Sequence, residues 1–226
     1  MGWSTDLLLF LFPVNCVVCG RRLPSVKGVL CISCEYNLPY TGFKDSDNPV
    51  SQLFWGRIQI EGGTALIRFE KGSRYQAMLH ELKYRRNRNV GSYLGRLLGH
   101  ALSGTCFAGC DLLIPVPLHP KRLRKRGYNQ SEVIAEGVSA VTGIPVHTNV
   151  LRRIRSEGSQ TFKGRYDRFE NVRGNFCLSA NPPDLNGLTV LLLDDVVTTG
   201  ATLEACCRIL QEHFGCRIFV AAVSCA

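Results

Sequence analysis

The segment Val190-Leu191-Leu192-Leu193-Asp194-Asp195-Val196-Val197-Thr198-Thr199-Gly200-Ala201-Thr202 constrains this chain more than any other. The apolar run over 188–193, interrupted only by Thr189, predicts a strand buried on both faces, and such strands belong to parallel sheets covered by helices. The run ends on two carboxylates, Asp194 and Asp195, followed by a hydroxyl- and glycine-rich turn that opens a helix predicted over 201–214. Backbone N–H groups of Thr198 to Thr202 and the dipole of that helix favour a monoester phosphate. Adjacent carboxylates at the carboxyl end of a parallel strand can accept hydrogen bonds from vicinal ribose hydroxyls. Gly200 lets the main chain approach such a ligand closely. The plain alternative is an ordinary strand and an Asp-capped helix, but two acids at a buried strand end are costly unless something pairs with them.

The rest of the chain supplies partners for that strand. Residues 63–69 read as a strand, 73–88 and 90–102 as helices, and 111–116 as a buried strand that Pro115 and Pro117 end. A basic loop follows, with His119, Lys121, Arg122, Arg124, Lys125 and Arg126. Asn129 and Ser131 then offer caps for a helix running to about Val141, which Gly143 stops. The charged, aperiodic stretch 151–175 reads as a mobile surface loop or hood, and 217–223 as a last buried strand. This alternation predicts a Rossmann-like α/β domain with a mostly parallel sheet.

Four of the eleven cysteines carry a second motif. Cys16 and Cys19, then Cys31 and Cys34, form two CxxC pairs spaced to aim four thiolates at one tetrahedral Zn²⁺, with Gly20 permitting the first knuckle turn. All four positions are then filled by sulfur, so the ion is structural. Two redox dithiols or an iron–sulfur cluster are the competing readings. The polar stretch 40–50 has the composition of a linker, which places a zinc module and linker at 1–49 and the α/β domain at 50–226. The other seven cysteines read as small buried hydrophobes.

The net charge of +9 calls for a polyanionic partner or phosphate-rich ligands, and the basic residues cluster over 83–96, 121–126 and 152–173. Solvated helix faces are the bland reading of each cluster. The apolar run Leu7 to Phe12 is far shorter than the ~20 residues that span a bilayer, lacks a basic segment before it and ends at Pro13. It reads as an amphipathic docking segment, and the expected location is the cytoplasm, with no transmembrane helix.

The 190–202 segment resembles, at every position, the thirteen-residue signature of the type I phosphoribosyltransferases. Over nearly its full length the chain also resembles the ComF/GntX family, a zinc ribbon joined to a phosphoribosyltransferase-like domain and associated with DNA uptake in natural competence. The likeness rests on Cys16, Cys19, Cys31 and Cys34, on Glu81-Leu82-Lys83-Tyr84, on Pro115-Val116-Pro117-Leu118-His119 through Arg122, on Arg126-Gly127-Tyr128-Asn129-Gln130-Ser131, on Gln160, Arg168 and Asn171, and on the 190–202 loop. The chain has Glu157 where the family often has threonine. The resemblance implies phosphoribosyl pyrophosphate as ligand, with Mg²⁺ bridging pyrophosphate and ribose hydroxyls. Asp194 and Asp195 would be the catalytic pair, and Val196, Val197, Thr198, Thr199, Gly200, Ala201 and Thr202 would hold the ribose 5-phosphate. A pyrophosphate loop of Pro115, Val116, Pro117, His119, Lys121 and Arg122 would be closed by Lys163 or Arg165 on the hood.

Three functions stay open on the sequence. The first is an active phosphoribosyltransferase acting on a base or amine, although no segment announces a base pocket. The second is an accessory factor that binds single-stranded DNA, its basic residues tracking the strand and Tyr128, Phe162, Tyr166 or Phe169 stacking on bases. The third is a sensor of the ribose donor without chemistry, read out through a partner, such as a competence or recombination protein, docked on the zinc ribbon or on Leu7 to Phe12.

Overall fold

Along the chain of the computed structural model, which describes residues 13–26, 28–154 and 174–226, the elements follow the predicted alternation. They are α1 (Ile32–Tyr36), α2 (Pro49–Gln52), β1 (Gly62–Arg68), α3 (Gln76–Tyr84), α4 (Arg88–Leu102), β2 (Leu112–Pro115), α5 (Pro120–Arg126), α6 (Gln130–Thr142), β3 (Leu151–Arg153), β4 (Phe176–Leu178), β5 (Thr189–Val197), α7 (Ala201–His213) and β6 (Arg217–Cys225). The main sheet has the order β1-β6-β5-β2, and every pairing within it is parallel. The fold is therefore an α/β domain on a parallel sheet, with a cysteine module near the amino terminus.

Alternation along the buried strands divides the core in two. Leu191 and Leu193 face α4 and α6, whereas Val190 and Leu192 face α7. Helix α6, between β2 and β3, thus packs on one face of the sheet and α7, after β5, on the other. Adjacent parallel strands whose connections leave toward opposite faces open a crevice at their carboxyl ends. That crevice opens beyond the register partners Pro115 and Leu193.

Helices α4 and α6 approach each other through glycines. Gly91, Gly95 and Gly99 recur every four residues and so share one face of α4. A Cβ at Gly95 would lie 2.2 Å from the Ile134 carbonyl oxygen, and one at Gly137 would lie 2.5 Å from that of Ser92. Contact between backbones at this range leaves no room for a methyl group. Gly95→Ala is expected to destabilise the fold by about 1–3 kcal/mol, as overpacked cores do. A urea-unfolding midpoint equal to that of wild type would show that the helices do not cross this closely.

Several expectations change in detail. The basic loop contains helix α5, because His119 accepts from the Lys121 N–H at 3.1 Å as an N-cap, Pro120 fits the first turn and Gly127 closes the helix at φ +84°. The predicted helix 73–88 is shorter, ending before Arg86, which adopts φ +55°. The charged stretch begins in β3, which pairs antiparallel with β4 just beyond its end. Residues 155–173, which include Gln160, Phe162, Lys163, Arg165, Tyr166, Arg168, Phe169 and Asn171, lie outside the described residues, as does Leu7 to Phe12. Of the seven other cysteines, Cys110, Cys206 and Cys207 are buried, Cys177, Cys216 and Cys225 are half-buried and Cys106 is exposed. Among the described residues no helix is long and apolar enough to cross a membrane.

The polar stretch 40–50 follows the edge of β1. The Thr41 N–H donates to the Leu66 carbonyl at 3.0 Å, and Asn48 both caps α2 and donates to the Gly63 carbonyl at 2.6 Å. The cysteine module is docked as well. Leu23, Val29 and Leu38 share a core with Met78, Leu82 and Leu94, while the Tyr75 hydroxyl donates to the Asn37 carbonyl at 2.6 Å and the Tyr93 hydroxyl to Glu35 Oε2 at 2.6 Å.

Candidate functional site

The crevice is a cleft of about 270 Å³. Strand β5 carries Asp194 and Asp195 to its floor, with α7 starting at one side and α6 at the other. Asp194 is fixed by two donors: the Ser131 hydroxyl at 3.0 Å and the Asp195 N–H at 2.8 Å, both reaching Oδ1. Burial pushes its carboxyl up to about 7, and the charge of Asp195 adds to the rise, against the lowering effects of the Asp195 N–H, Ser131 and Lys83. Asp195 is neutralised by Lys83, whose Nζ lies 3.0 Å from Oδ2. One acid thus approaches neutrality by holding a proton and the other by holding a cation.

Beyond the acids the chain turns through Thr198, Thr199 and Gly200 into α7. Gly200 is the residue before the helix, at φ +74°, a conformation that side-chain-bearing residues rarely adopt. The close approach there is to protein: a Cβ on Gly200 would meet the Phe54 ring at 3.1 Å. Val196, Thr198 and Thr202 line the cleft, whereas the Val197 side chain is in the core. The α7 amino terminus therefore opens on the cleft beside the acids, which suits an anion.

On the opposite wall, Val116 and Pro117 follow β2, and Asn129 donates to the Val116 carbonyl at 3.0 Å while capping α6 through the Ser131 N–H. Arg122 and Arg126, four residues apart on α5, present one face to the cleft, while Lys121, Arg124 and Lys125 are exposed. The basic cluster is thus part cleft wall and part solvated face. His119 is a buried cap and Pro115 is buried at the end of β2, and neither they nor Lys121 line the cleft. Lys163 and Arg165 are outside the described residues.

Sequence reasoning missed several cleft residues. Ser131 read only as a cap, yet its hydroxyl serves Asp194. Lys83 stood in the Glu81–Tyr84 motif without a role. Arg126 and Arg153 line the cleft as members of basic clusters whose direction periodicity could not fix. Only Lys83 offered a signal, as a cation following the buried Leu82 in a helix.

Away from the cleft, the ligand atoms of Cys16, Cys19, Cys31 and Cys34 all lie within 4.8 Å of one another, a set that could hold a metal ion. The first knuckle is closed by Gly20, whose N–H donates to the Cys16 carbonyl at 2.8 Å. Cys31 is the N-cap of α1 and Cys34 lies within it.

Residues 126–226 match the family described as "Phosphoribosyl transferase domain". Competence protein ComFC of Bacillus subtilis is 30% identical over 93% of this chain and 83% of its own length. Competence protein F of Haemophilus influenzae is 25% identical over 91% of this chain and 94% of its own. Among solved structures, the allosteric regulatory enzyme of purine biosynthesis aligns with 63% of this chain and 30% of its own at 19% identity, with a TM-score of 0.42.

Proposed function

The chain belongs to the ComF family of phosphoribosyltransferase-like proteins, and on that premise we propose that its cleft binds phosphoribosyl pyrophosphate while the protein acts in DNA uptake or processing. The observation that carries this reading is the pairing of Asp194 and Asp195 with the amino terminus of α7 in one crevice. The acids accept from the ribose hydroxyls, the 196–202 turn holds the 5-phosphate, and the pyrophosphate lies against Val116, Pro117 and Arg122, joined by Arg126. Carboxylate oxygens at the cleft floor suit a hard cation. Mg²⁺, bound there with the pyrophosphate, would spread the leaving group's negative charge. The chain's own part is to orient the sugar and, through Lys83 and Arg122, to balance charge.

In the same reading the four cysteines hold a structural zinc, since an all-thiolate set of this spacing suits that ion and leaves no open position. Residues 1–49 are then the zinc ribbon and linker and 50–226 the phosphoribosyltransferase-like domain. The names of the relatives, both competence proteins, support the biological role.

Isothermal titration with phosphoribosyl pyrophosphate and Mg²⁺ tests the ligand. Wild type is expected to bind and the Asp194→Asn/Asp195→Asn variant to lose binding by at least about a hundredfold, two acceptors for hydroxyls and cation being gone. Equal affinity in the two proteins would overturn the assignment. Pyrophosphate release with a panel of nucleobases or amines then separates an active transferase from a binding protein. A second reading, a single-stranded-DNA accessory factor without catalysis, draws on the exposed Lys121, Arg124 and Lys125 of α5. Salt-sensitive binding to single-stranded DNA with no pyrophosphate release would select it.

A further inference from the structure

The back of the phosphate turn is held by a segment that no motif marks. After α2 the chain turns at Phe54 to Ile58, with the Arg57 and Ile58 N–H groups both donating to the Phe54 carbonyl. This turn places the fully buried Phe54 ring beneath Gly200. It also sends the Arg57 side chain along the underside of the turn. There Arg57 Nη1 donates to the Thr199 carbonyl at 2.9 Å and to the Leu53 carbonyl at 2.6 Å. Its Nη2 pairs with Glu204 Oε2. The other oxygen of Glu204 accepts from Arg208 at 3.0 Å. Glu204 is nearly buried, in the first turn of α7, and its own N–H closes that turn on the Gly200 carbonyl at 2.8 Å.

We propose that Arg57 is a positioning residue for the phosphate site: by holding the Thr199 carbonyl from behind, it aims the Gly200 N–H into the turn where the 5-phosphate binds. A trans peptide is planar, so its C=O and N–H point in opposite directions. With the Thr199 oxygen turned back onto the guanidinium, the Gly200 N–H of the same peptide faces away from Arg57 and toward the open side of the turn. The positive φ at Gly200 makes the orientation of this peptide a real choice, because glycine leaves the neighbouring torsions loosely restrained and an external anchor must select one. The planar fork of arginine suits the task, since it reaches a carbonyl and a carboxylate at once, which a lysine ammonium does less well. Glu204 faces both Arg57 and Arg208 and so offsets only part of their charge, and the contribution assigned to Arg57 is one of direction.

This inference rests on the reading of 198–202 as a phosphate cup, and its test separates the two. Ribose 5-phosphate and, separately, magnesium pyrophosphate are titrated into wild type, Arg57→Met and Arg57→Met/Glu204→Gln. The double variant removes both members of the partly buried ion pair, so it leaves no uncompensated carboxylate and serves if the single variant folds poorly. Both variants are expected to bind ribose 5-phosphate about tenfold more weakly, the loss expected when one hydrogen bond to a charged group is misdirected. Their affinity for magnesium pyrophosphate, held on the opposite wall, is expected to stay at the wild-type value. Wild-type affinity for ribose 5-phosphate in the variants, or an equal loss for both ligands, would overturn the role of Arg57. Failure of wild type itself to bind ribose 5-phosphate would remove the phosphate reading and this inference with it.

Discussion

Asp194→Asn is expected to make the protein more stable at pH 8 while depriving it of its ligand. Asp194 has its carboxyl raised from 3.8 to about 7 in the folded protein, burial being the largest cause. A carboxyl raised on folding favours the folded state only while it is protonated. That contribution is whole below about pH 4, declines as pH rises toward 7, and is gone above the folded value. At pH 8 the wild type must therefore hold a half-buried carboxylate next to Asp195, and every tenfold gain in proton affinity on folding corresponds to about 1.4 kcal/mol. Asparagine keeps an acceptor for Ser131 and for the Asp195 N–H but carries no charge, so a gain of about 2 kcal/mol is expected at pH 8. The gain should shrink steadily on lowering the pH to 5. Urea unfolding of both proteins at the two pH values checks this, and a difference that is the same at pH 5 and pH 8 would refute it. The reason for the trade is chemical: Ser131 and Lys83 offset only part of the repulsion between the two acids, and a ligand with hydroxyls or a cation would relieve more of it.

On the proposed reading of the four cysteines as a zinc site, stripping that ion should reach the cleft. Metal binding in small modules is itself folding free energy, on the order of 10 kcal/mol in isolated zinc peptides. Here part of that stability is replaced by docking, because Leu23, Val29 and Leu38 are buried against α3 and α4. Cys34→Ser, or treatment with a strong chelator, is expected to cost at least about 3 kcal/mol by urea unfolding. Tyr75, which precedes α3, is bonded to the Asn37 carbonyl, and the same helix carries Lys83 to Asp195. Loosening α1 should therefore weaken phosphoribosyl pyrophosphate binding as well, by a few fold, without any change at the acids. A chelated, metal-free protein, verified by elemental analysis, that unfolds at the wild-type midpoint would show that the four thiols serve no structural ion.

What the sequence determined by itself was whatever is written locally. The apolar run, the two acids and the Thr-Thr-Gly turn occupy thirteen consecutive residues, so strand and helix start could be read without knowing any neighbour. The paired CxxC spacing likewise announced four sulfurs at one point, and those sulfurs do converge. The helix α5 was readable in principle from His119, Pro120 and Gly127, but its charge density concealed those caps. Tertiary structure alone decided which distant groups complete the cleft. Ser131 lies 63 residues from Asp194, and Arg57 lies 142 from the Thr199 carbonyl it anchors. Lys83, on the helix that follows the edge strand β1, meets Asp195 on β5, a strand two places across the sheet. Such meetings follow from strand order and from how closely α4 and α6 cross. Periodicity within a segment says which face of an element is buried, but the identity of what lies against that face is a property of the assembled fold.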